Sequence, residues 1–444
     1  MARMDRRFAR PVAGTFVAYL AGLAANLVVS ILVARTMGPA GAGVIALALV
    51  GPNILALLGN LGLPSAISHF LSRRTMSSGR VFTVAATLAM LSGYVLLMAY
   101  VIAAPWVRNL LVTEAEAAGG GRFILSPALM EMAAAVILLE IILQCLMAIY
   151  QGLHRFGHRS FLLLAYRWLY VALAAGAIAC FGAEPHLVVA AGIAAYFITC
   201  MVGLLVTLRT VLLEPLAAGD RSWSADARRL LAYAWRTHVS AVLLFVIMRA
   251  DLFLVKALLG DDAQVGLYSR ATQVAEVIFY FMLAVENVLF PRMSSLSPGE
   301  IPAAAATLCR RALVAGAALV AVFEILSRWL ILIPFGPEFE GSIAPLRIML
   351  PGVLAIGLAR AIFSVFNALE RPWPPAILSA VGVTLMIALD FLWIPAHGIA
   401  GAALASLVTY LLLALAAALW LSRSTAQPLT AFLLPHRSDL AVRP

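Results

Sequence analysis

Ionisable side chains inside long apolar stretches are the residues of this sequence best placed to do chemistry. Arg167, Arg249 and Arg360 each lie in such a stretch, and Asp251 follows Arg249 closely. A guanidinium stays charged and binds phosphate oxygens through paired N–H groups. We therefore predict that these four residues contribute to a binding site for a substrate with an anionic head group.

Acidic and amide side chains occupy other apolar stretches: Glu140, Glu276, Glu286 and Asn60. A carboxylate inside a membrane is costly and can exchange a proton, so we interpret this set as coupling or cavity residues. Asp390 fits either a proton-carrying or a packing role. The alternative is that the charges neutralise one another, Arg249 with Asp251 or with a glutamate of the next span, and only hold helices together.

Two further cations, Arg35 and Lys256, lie near the ends of apolar stretches at corresponding places in the two halves of the chain. A cationic rim at the outer face would suit the release of an anionic substrate, so both are predicted substrate contacts. The alternative is that they anchor their helices by extending the charged group to the membrane surface.

The composition indicates a polytopic helical membrane protein. Of the 444 residues, 63% are hydrophobic and 12% are charged, and the mean hydropathy is +0.99. The net charge of +10 does not indicate nucleic-acid binding, because the arginines are dispersed at the ends of apolar runs. The four cysteines have unrelated spacings, which supports neither a disulfide framework nor a metal site.

At about 20 residues per span, the apolar runs predict twelve transmembrane helices. These spans, numbered in chain order, are 12–36, 42–71, 80–106, 126–152, 159–181, 186–209, 236–258, 265–291, 303–333, 343–369, 373–395 and 399–421. With the N-terminus inside, the segments on the cytoplasmic side contain twenty-one basic residues and those outside contain seven. This bias predicts that both termini are cytoplasmic.

The stretch from Ile31 to Arg74 is unusually rich in helix breakers. A Gly/Pro turn at 38–43 joins spans 1 and 2, and span 2 contains Gly51-Pro52 and then Gly59, Asn60, Gly62 and Pro64. Freed backbone groups are costly in hydrocarbon, so a broken polar helix is tolerated where protein or a wet cavity satisfies them. The pattern favours a transporter with a hinge in span 2.

Weak internal repeats relate the two halves of the chain. Gly38, Gln151 and Gly192 have counterparts at Gly260, Asn367 and Gly401, about half the chain further on each time. We therefore predict two pseudo-symmetric six-helix lobes. Their boundaries are 1–213 for the N-terminal lobe, 214–235 for a cytoplasmic linker, 236–422 for the C-terminal lobe and 423–444 for a cytoplasmic tail.

Motifs for catalysis are missing from the sequence. There is no GxxxxGK loop, HExxH pair or nucleophile elbow, and no polar segment large enough for a nucleotide-binding domain. We expect a protein that is not an enzyme, with no cofactor and no metal, whose transport is driven by a gradient or by the concentration difference of the substrate itself.

Several motifs resemble those of Wzx-like oligosaccharide flippases, the polysaccharide biosynthesis proteins of the superfamily that also contains MATE multidrug antiporters and lipid II flippases. They are Ala34–Pro39, Gly59–Ala66, Arg249–Asp251, Val265–Tyr268 and Phe335–Phe339. The resemblance covers nearly the whole chain and implies a MATE-like fold.

The resemblance also implies a function. Such a protein would flip undecaprenyl-pyrophosphate-linked oligosaccharides from the inner to the outer leaflet of a bacterial inner membrane by alternating access, for O-antigen, lipopolysaccharide or other surface polysaccharide. Its expected partners are this lipid-linked substrate, membrane lipid, and glycosyltransferases and a polymerase of the same pathway.

Two alternatives stay open. A multidrug/proton antiporter would have the same fold, although its cavity should be acidic and three intramembrane arginines count against it. A membrane enzyme acting on lipid-linked sugars is the other alternative, but the longest outside loop, near Arg108 to Arg122, is short and glycine-rich.

Overall fold

A computed structural model describes residues 6–111, 123, 125–211, 222–294, 300–369, 371, 373–425 and 427–433. The side chains of 6–16, 110–111, 210–211, 236–237, 284–294, 368 and 433 are outside this description. The described residues form α-helices and one 3-10 helix, with no β-strand among them. The predicted all-α class is confirmed.

The helices follow the predicted spans closely. In the first half they are α1 Arg6–Gly59, α2 Leu63–Ser72, α3 Ser78–Leu111, α4 Pro127–Gly152, α5 Phe156–Phe181 and α6 Pro185–Val211. In the second half they are α7 Trp223–Ile247, α8 Ala250–Leu259, α9 Asp262–Ser294, α10 Ile301–Phe335, the 3-10 helix Pro337–Ser342, α11 Ile343–Ala368, α12 Trp373–His397, α13 Ile399–Thr425 and α14 Thr430–Leu433.

The contacts divide the chain into two compact units, Met1–His238 and Val239–Pro444, called unit 1 and unit 2 below. Predicted spans 1–6 lie in unit 1, and spans 8–12 lie in unit 2. The division falls inside α7, which begins at Trp223. The second part of the predicted linker, 214–235, is therefore helical where it is described, and its first part lies outside the described residues.

Nine stretches of the described helices are long and apolar enough to cross a membrane. One of them, Val17–Gly59 in α1, has 43 residues, a length of about 65 Å at 1.5 Å per residue. This is about twice the thickness of the hydrocarbon layer, so α1 contains two crossings, spans 1 and 2. Span 7 lies on α7 and α8, and span 8 lies on α9. All twelve predicted spans are therefore helical.

A single glycine separates spans 1 and 2. Gly38 has φ 63° and ψ −168°, and the residues on both sides of it are helical. A positive φ is open to glycine at little cost, which explains the residue type. The turn predicted over 38–43 is thus shorter than expected, because the helix resumes directly after Gly38.

Span 2 is broken where the sequence predicts, between α1 and α2. Leu61 and Gly62 both have positive φ, 51° and 74°. Neighbouring side chains satisfy the freed backbone groups: the Ser92 hydroxyl donates to the Gly59 carbonyl at 2.7 Å, and the Gly62 N–H donates to Asn60 Oδ1 at 2.9 Å. These contacts remove the penalty for an open helix in an apolar setting. Gly51-Pro52, in contrast, does not interrupt the helix.

The fourth span of each unit is its most buried. In unit 1, α4 packs against α1, α2, α3, α5 and α6, and in unit 2, α11 packs against α9, α10, α12 and α13. The two helices are related by the predicted repeat. They position Glu140 and Arg360 among their neighbours.

Candidate functional site

Unit 2 contains a helix break next to the predicted charged residues. α7 ends at Ile247 and α8 begins at Ala250, with Arg249 in a non-helical conformation at φ −135° and ψ −20°. The break places Asp251 in the first turn of α8. The partial positive charge at a helix N-terminus favours an acidic group there.

Asp251 joins three helices of unit 2. Its side chain is 1% exposed, and its Oδ2 accepts a hydrogen bond from the Tyr268 hydroxyl of α9 at 2.5 Å. The other carboxylate oxygen accepts from the Leu252 backbone N–H at 2.9 Å. The Tyr268 hydroxyl also lies 3.4 Å from Ser406 Oγ of α13. A buried carboxylate with these partners is held in one orientation.

Arg249 forms an ion pair with Glu276 of α9. Their Nη2 and Oε1 atoms are 2.7 Å apart, and both side chains are partly buried. The structure thus selects between the two pairings that the sequence left open: the ion-pair partner is the glutamate of the next span. The guanidinium also lies over the Phe245 ring, 5.9 Å from its centroid.

A small cavity adjoins this cluster. Its volume is about 20 Å³, which is room for about one water molecule. Its lining is mostly apolar in area and consists of Met248, Asp251, Tyr268, Thr272, Glu276, Met349, Val353, Ser406 and Tyr410. Two carboxylates therefore face a space that can hold water inside unit 2.

Asp390 of α12 is the buried acid that the sequence left undecided. It is 0% exposed, and neither carboxylate oxygen has a hydrogen-bond partner among the described residues. Its charge interacts with that of Asp251, whose helix α8 packs against α12. A buried unpaired carboxylate is costly, so this residue is poised to take up a proton or a cation.

Lys256 does not belong to an exposed rim. Its side chain is fully buried, and its Nζ lies 3.0 Å from Asp262 Oδ1 and 3.5 Å from the Gly260 carbonyl. These contacts close the turn between α8 and α9, because the ammonium neutralises an acid buried beside it. Arg35, by contrast, is exposed on α1. Substrate contact by either residue stays a prediction, and for Lys256 it requires that the ion pair opens.

The remaining predicted residues of unit 2 are Arg360 and Glu286. Arg360 of α11 is partly buried, and its guanidinium lies 5.7 Å from the centroid of the Phe279 ring. The Glu286 side chain lies outside the described residues.

Unit 1 contains a second polar cluster, centred on Glu140 of α4. Its Oε2 accepts from the Tyr196 hydroxyl of α6 at 2.9 Å, and its Oε1 accepts from Gln144 Nε2 at 2.9 Å. Asn60 Nδ2 in turn donates to Gln144 Oε1 at 2.7 Å. Two predicted residues, Glu140 and Asn60, are therefore linked through one that was not predicted.

Arg167 of α5 lies near this cluster without entering an ion pair. Its Nη1 donates to the Gly22 carbonyl at 3.1 Å, and its buried Nε has no hydrogen-bond partner among the residues that the structure describes. In the part of the chain that is described, no carboxylate lies within 4.0 Å of its guanidinium. Gly22 makes room for the side chain, since a Cβ there would lie 3.0 Å from Arg167 Cδ.

Apart from Asn60, the uncharged members of both clusters were missed by sequence reasoning. Gln144 lies one helical turn after Glu140, and this spacing on one helix face was the available signal. Tyr268 lies in the Val265–Tyr268 motif, but nothing local indicates that its hydroxyl reaches Asp251. Tyr196 and Ser406 carry no signal in the sequence, because only tertiary packing brings them to a carboxylate.

The fold is shared with solved multidrug transporters. The chain is similar to an inward-facing multidrug resistance MATE family transporter of the MOP superfamily, with a TM-score of 0.66 and 16% identity over 90% of this chain and 94% of that chain. It is also similar to MATE in complex with MaD5, with a TM-score of 0.69 and 15% identity over 94% and 96%. A mutant of the Vibrio cholerae MATE transporter VcmN gives a TM-score of 0.65 and 15% identity over 96% and 98%.

Sequence comparison assigns the family. No curated protein matches this chain. The family profile described as "Polysaccharide biosynthesis protein" matches residues 9–297, more than half of the 444 residues. The resemblance seen in the motifs is thereby confirmed, and the chain belongs to the polysaccharide biosynthesis protein family, with the transporter fold of the MOP superfamily.

Proposed function

We propose that this protein flips undecaprenyl-pyrophosphate-linked oligosaccharide units from the inner to the outer leaflet of a bacterial inner membrane, for the synthesis of a surface polysaccharide. Membership of the polysaccharide biosynthesis protein family supports the pathway. The fold shared with MATE transporters supports transport rather than catalysis.

The observation that carries the proposal is that Arg167 lies inside a span without an ion-pair partner among the described residues. A guanidinium inside a membrane span costs about 2.5–3.5 kcal/mol on insertion scales unless it is neutralised. Arg167 has one hydrogen bond to a backbone carbonyl and, among the described residues, no ion pair. A pyrophosphate supplies the paired anionic oxygens that a guanidinium fork binds best.

The buried acids of unit 2 fit the coupling role. Asp390 has no partner for either oxygen among the described residues, and Asp251 faces a cavity with room for water. We assign the uptake and release of a coupling proton to these two carboxylates. Movement of one charge across 100 mV supplies about 2.3 kcal/mol, enough to bias an alternating-access cycle.

Multidrug export is the second candidate, since the solved structures of similar fold are multidrug transporters. A cavity for cationic drugs is expected to be acidic and free of competing cations. Arg167 argues against it, because its guanidinium would repel a cationic drug, whereas the charge of Arg249 is already paired with Glu276.

The test is flipping in vesicles. The full chain is reconstituted with a fluorescent lipid-linked oligosaccharide that carries the pyrophosphate, and exposure of the sugar on the opposite leaflet is followed with a membrane-impermeant quencher. We expect flipping to depend on the protein and to be lost in Arg167→Ala. Drug-dependent proton release from the same vesicles, with no movement of the lipid-linked sugar, would overturn the proposal in favour of export.

A further inference from the structure

The hydrogen bonds around Glu140 run in one direction, which the protein backbone fixes. The Gly62 N–H can only donate, so Asn60 must turn its Oδ1 toward it. The amide nitrogen of Asn60 then faces Gln144 Oε1, and the amide nitrogen of Gln144 faces Glu140 Oε1. A backbone N–H at the break in span 2 therefore determines that Glu140 is an acceptor.

Glu140 accepts hydrogen bonds on both oxygens in this arrangement, as a carboxylate does. The second oxygen accepts from the Tyr196 hydroxyl. A proton added to Oε1 would face the Gln144 NH₂ group, so two donors would point at each other. Such a contact loses a hydrogen bond and leaves a polar group unsatisfied, which is unfavourable.

One added proton can be accommodated if the chain of hydrogen bonds from Glu140 through Gln144 to Asn60, called the relay below, reverses its direction. The new Glu140 O–H donates to Gln144 Oε1 after the Gln144 amide turns over, and Gln144 Nε2 then donates to Asn60 Oδ1. Asn60 must turn as well, which points its NH₂ group at the Gly62 N–H. The break in span 2 thereby loses the acceptor that satisfies its backbone.

The break touches α7 directly, so a change at Gly62 reaches that helix. A Cβ built on Gly62 would lie 2.7 Å from the Ala234 carbonyl oxygen and 2.9 Å from His238 Cβ. His238 Nε2 is also 3.4 Å from the Leu58 carbonyl at the end of α1. α7 is the helix whose chain continues from unit 1 into unit 2.

We propose that Glu140 is a proton-binding site whose protonation is transmitted through Gln144 and Asn60 to the break at Leu61–Gly62 and from there to α7. Glu140 as a residue is partly buried in unit 1. The inference rests on the proposed transport function for its physiological meaning. It adds a specific linkage between a proton and a hinge in unit 1, separate from the acids of unit 2.

The groups that face Glu140 make it the proton acceptor of this cluster. From α5 they are Tyr166 and Arg167, and from α6 Tyr196. Within the described residues, α1, α2 and α3 contribute no other titratable group that interacts with it. Tyrosine and arginine keep their protons at neutral pH, so Glu140 is the group that changes charge.

A second route for the proton has to be separated from the relay. A proton on Oε2 would donate to the Tyr196 hydroxyl, and that hydroxyl can turn to Tyr166. This route leaves Gln144 and Asn60 unchanged. Tyr196→Phe removes this second route and keeps the relay through Gln144. Gln144→Leu removes the relay and keeps the second route.

The experiment follows α7 with a nitroxide label as the pH is lowered from mildly alkaline to mildly acidic. Trp235 is 63% exposed and adjoins Ala234, so the label is attached at Trp235→Cys in the full chain, with the exposed Cys180 replaced by Ser. We expect the label mobility to change with pH in this background. Glu140→Gln should remove the pH response, because an amide does not gain or lose a proton in this pH range.

Cutting the relay should remove the response. Gln144→Leu and Asn60→Ala should each make the label independent of pH, because leucine cannot pass a hydrogen bond from Glu140 to Asn60 and alanine neither accepts from Gly62 nor donates to Gln144. Tyr196→Phe should retain the response. Glu131→Gln is the matched control on the same helix, because Glu131 is exposed. His69→Gln is the control for the histidine that contacts α7, and His238→Gln is the control for the histidine that lies on α7.

The outcomes separate this inference from the proposed function. A label whose mobility does not change with pH in the parent protein, or a full response in both Gln144→Leu and Asn60→Ala, would overturn the linkage even if the vesicles flip the lipid-linked sugar. A pH response of the label that disappears in those two variants would support the linkage, even if the flipping assay fails.

Discussion

The guanidinium of Arg249 lies 2.7 Å from the carboxylate of Glu276, and this ion pair connects the break in span 7 to span 8. A residue predicted to bind phosphate is thus neutralised by the protein in this structure. For Arg249 to bind the substrate, a phosphate oxygen must replace Glu276. Such an exchange conserves charge and avoids the cost of a bare cation in the membrane.

Replacement of this pair distinguishes substrate binding from packing. Arg249→Ala leaves Glu276 without its partner, and loss of one member of a buried pair costs about 3–5 kcal/mol. The pair is partly exposed, so a smaller loss is expected. We predict that Arg249→Ala abolishes surface polysaccharide while the protein stays in the membrane, as measured by polysaccharide blots and membrane fractionation.

The double variant Arg249→Ala/Glu276→Ala provides the control. If the pair only holds helices together, removal of both charges restores production, because no uncompensated charge remains. We expect the double variant to stay inactive but to recover thermal stability. Recovery of polysaccharide in the double variant would remove Arg249 from the substrate path.

Arg360 offers an independent test in the most buried helix of unit 2. Arg360→Ala is predicted to abolish surface polysaccharide, and Arg360→Lys to restore only part of it, since an ammonium lacks the guanidinium fork and stacks less well on Phe279. The matched control is Arg328→Ala, whose pair with Glu340 is exposed on both sides. Equal production by all three variants would contradict a role in binding.

The helices were predictable because each feature that defines them is local. Long apolar runs predict the spans, and the cluster from Gly59 to Pro64 predicts the break in span 2. The early start of α7 at Trp223 was missed because its first turns contain Asp226, Arg228 and Arg229, which lower the hydropathy without disfavouring a helix.

The composition of the clusters was only partly predictable, since it depends on packing between helices distant in sequence. The candidates Glu140 and Asn60 were identified from their polarity, but their link through Gln144 depends on how α4 packs against the break. Likewise, the sequence could not choose between Asp251 and Glu276 as the partner of Arg249. The side chain of Glu276 is one span away, and only the tertiary fold brings it within reach.

Neutralisation of Asp390 is predicted to uncouple transport without unfolding the protein. Asp390→Asn removes a fully buried charge that has no hydrogen-bond partner among the described residues, so the melting temperature should not fall. Flipping driven by a pH gradient should drop by about 5- to 150-fold, the range of a typical coupling free energy. Gradient-driven flipping equal to that of the parent protein would exclude Asp390 from coupling.

Gly62 is predicted to be the most sensitive glycine of unit 1. It has φ 74°, and a Cβ there would lie 2.7 Å from the Ala234 carbonyl oxygen. The backbone strain alone costs about 1–3 kcal/mol, so Gly62→Ala should lower the melting temperature and impair flipping. Gly176→Ala is the control, because a Cβ there meets no atom within 4 Å. Similar melting temperatures for the two variants would show that the break relaxes easily.

The start of α7 is held to α3 by an ion pair that a charge swap can test. Arg80 Nε lies 2.6 Å from Asp226 Oδ2, and the aspartate is nearly buried. Asp226 also lies in the first turn of α7, where a negative charge is favourable. Asp226→Arg and Arg80→Asp should each lower the melting temperature, because each brings two like charges together.

The combined variant Arg80→Asp/Asp226→Arg should recover most but not all of that stability, since an arginine at the N-terminus of a helix opposes its dipole. Arg228→Asp, an exposed neighbour on the same helix, should change the melting temperature little. If the swap restores stability and flipping together, this contact positions α7 for transport. If the combined variant is as unstable as the single ones, the ion pair does not hold α7 in place and the docking depends on the apolar contacts around it.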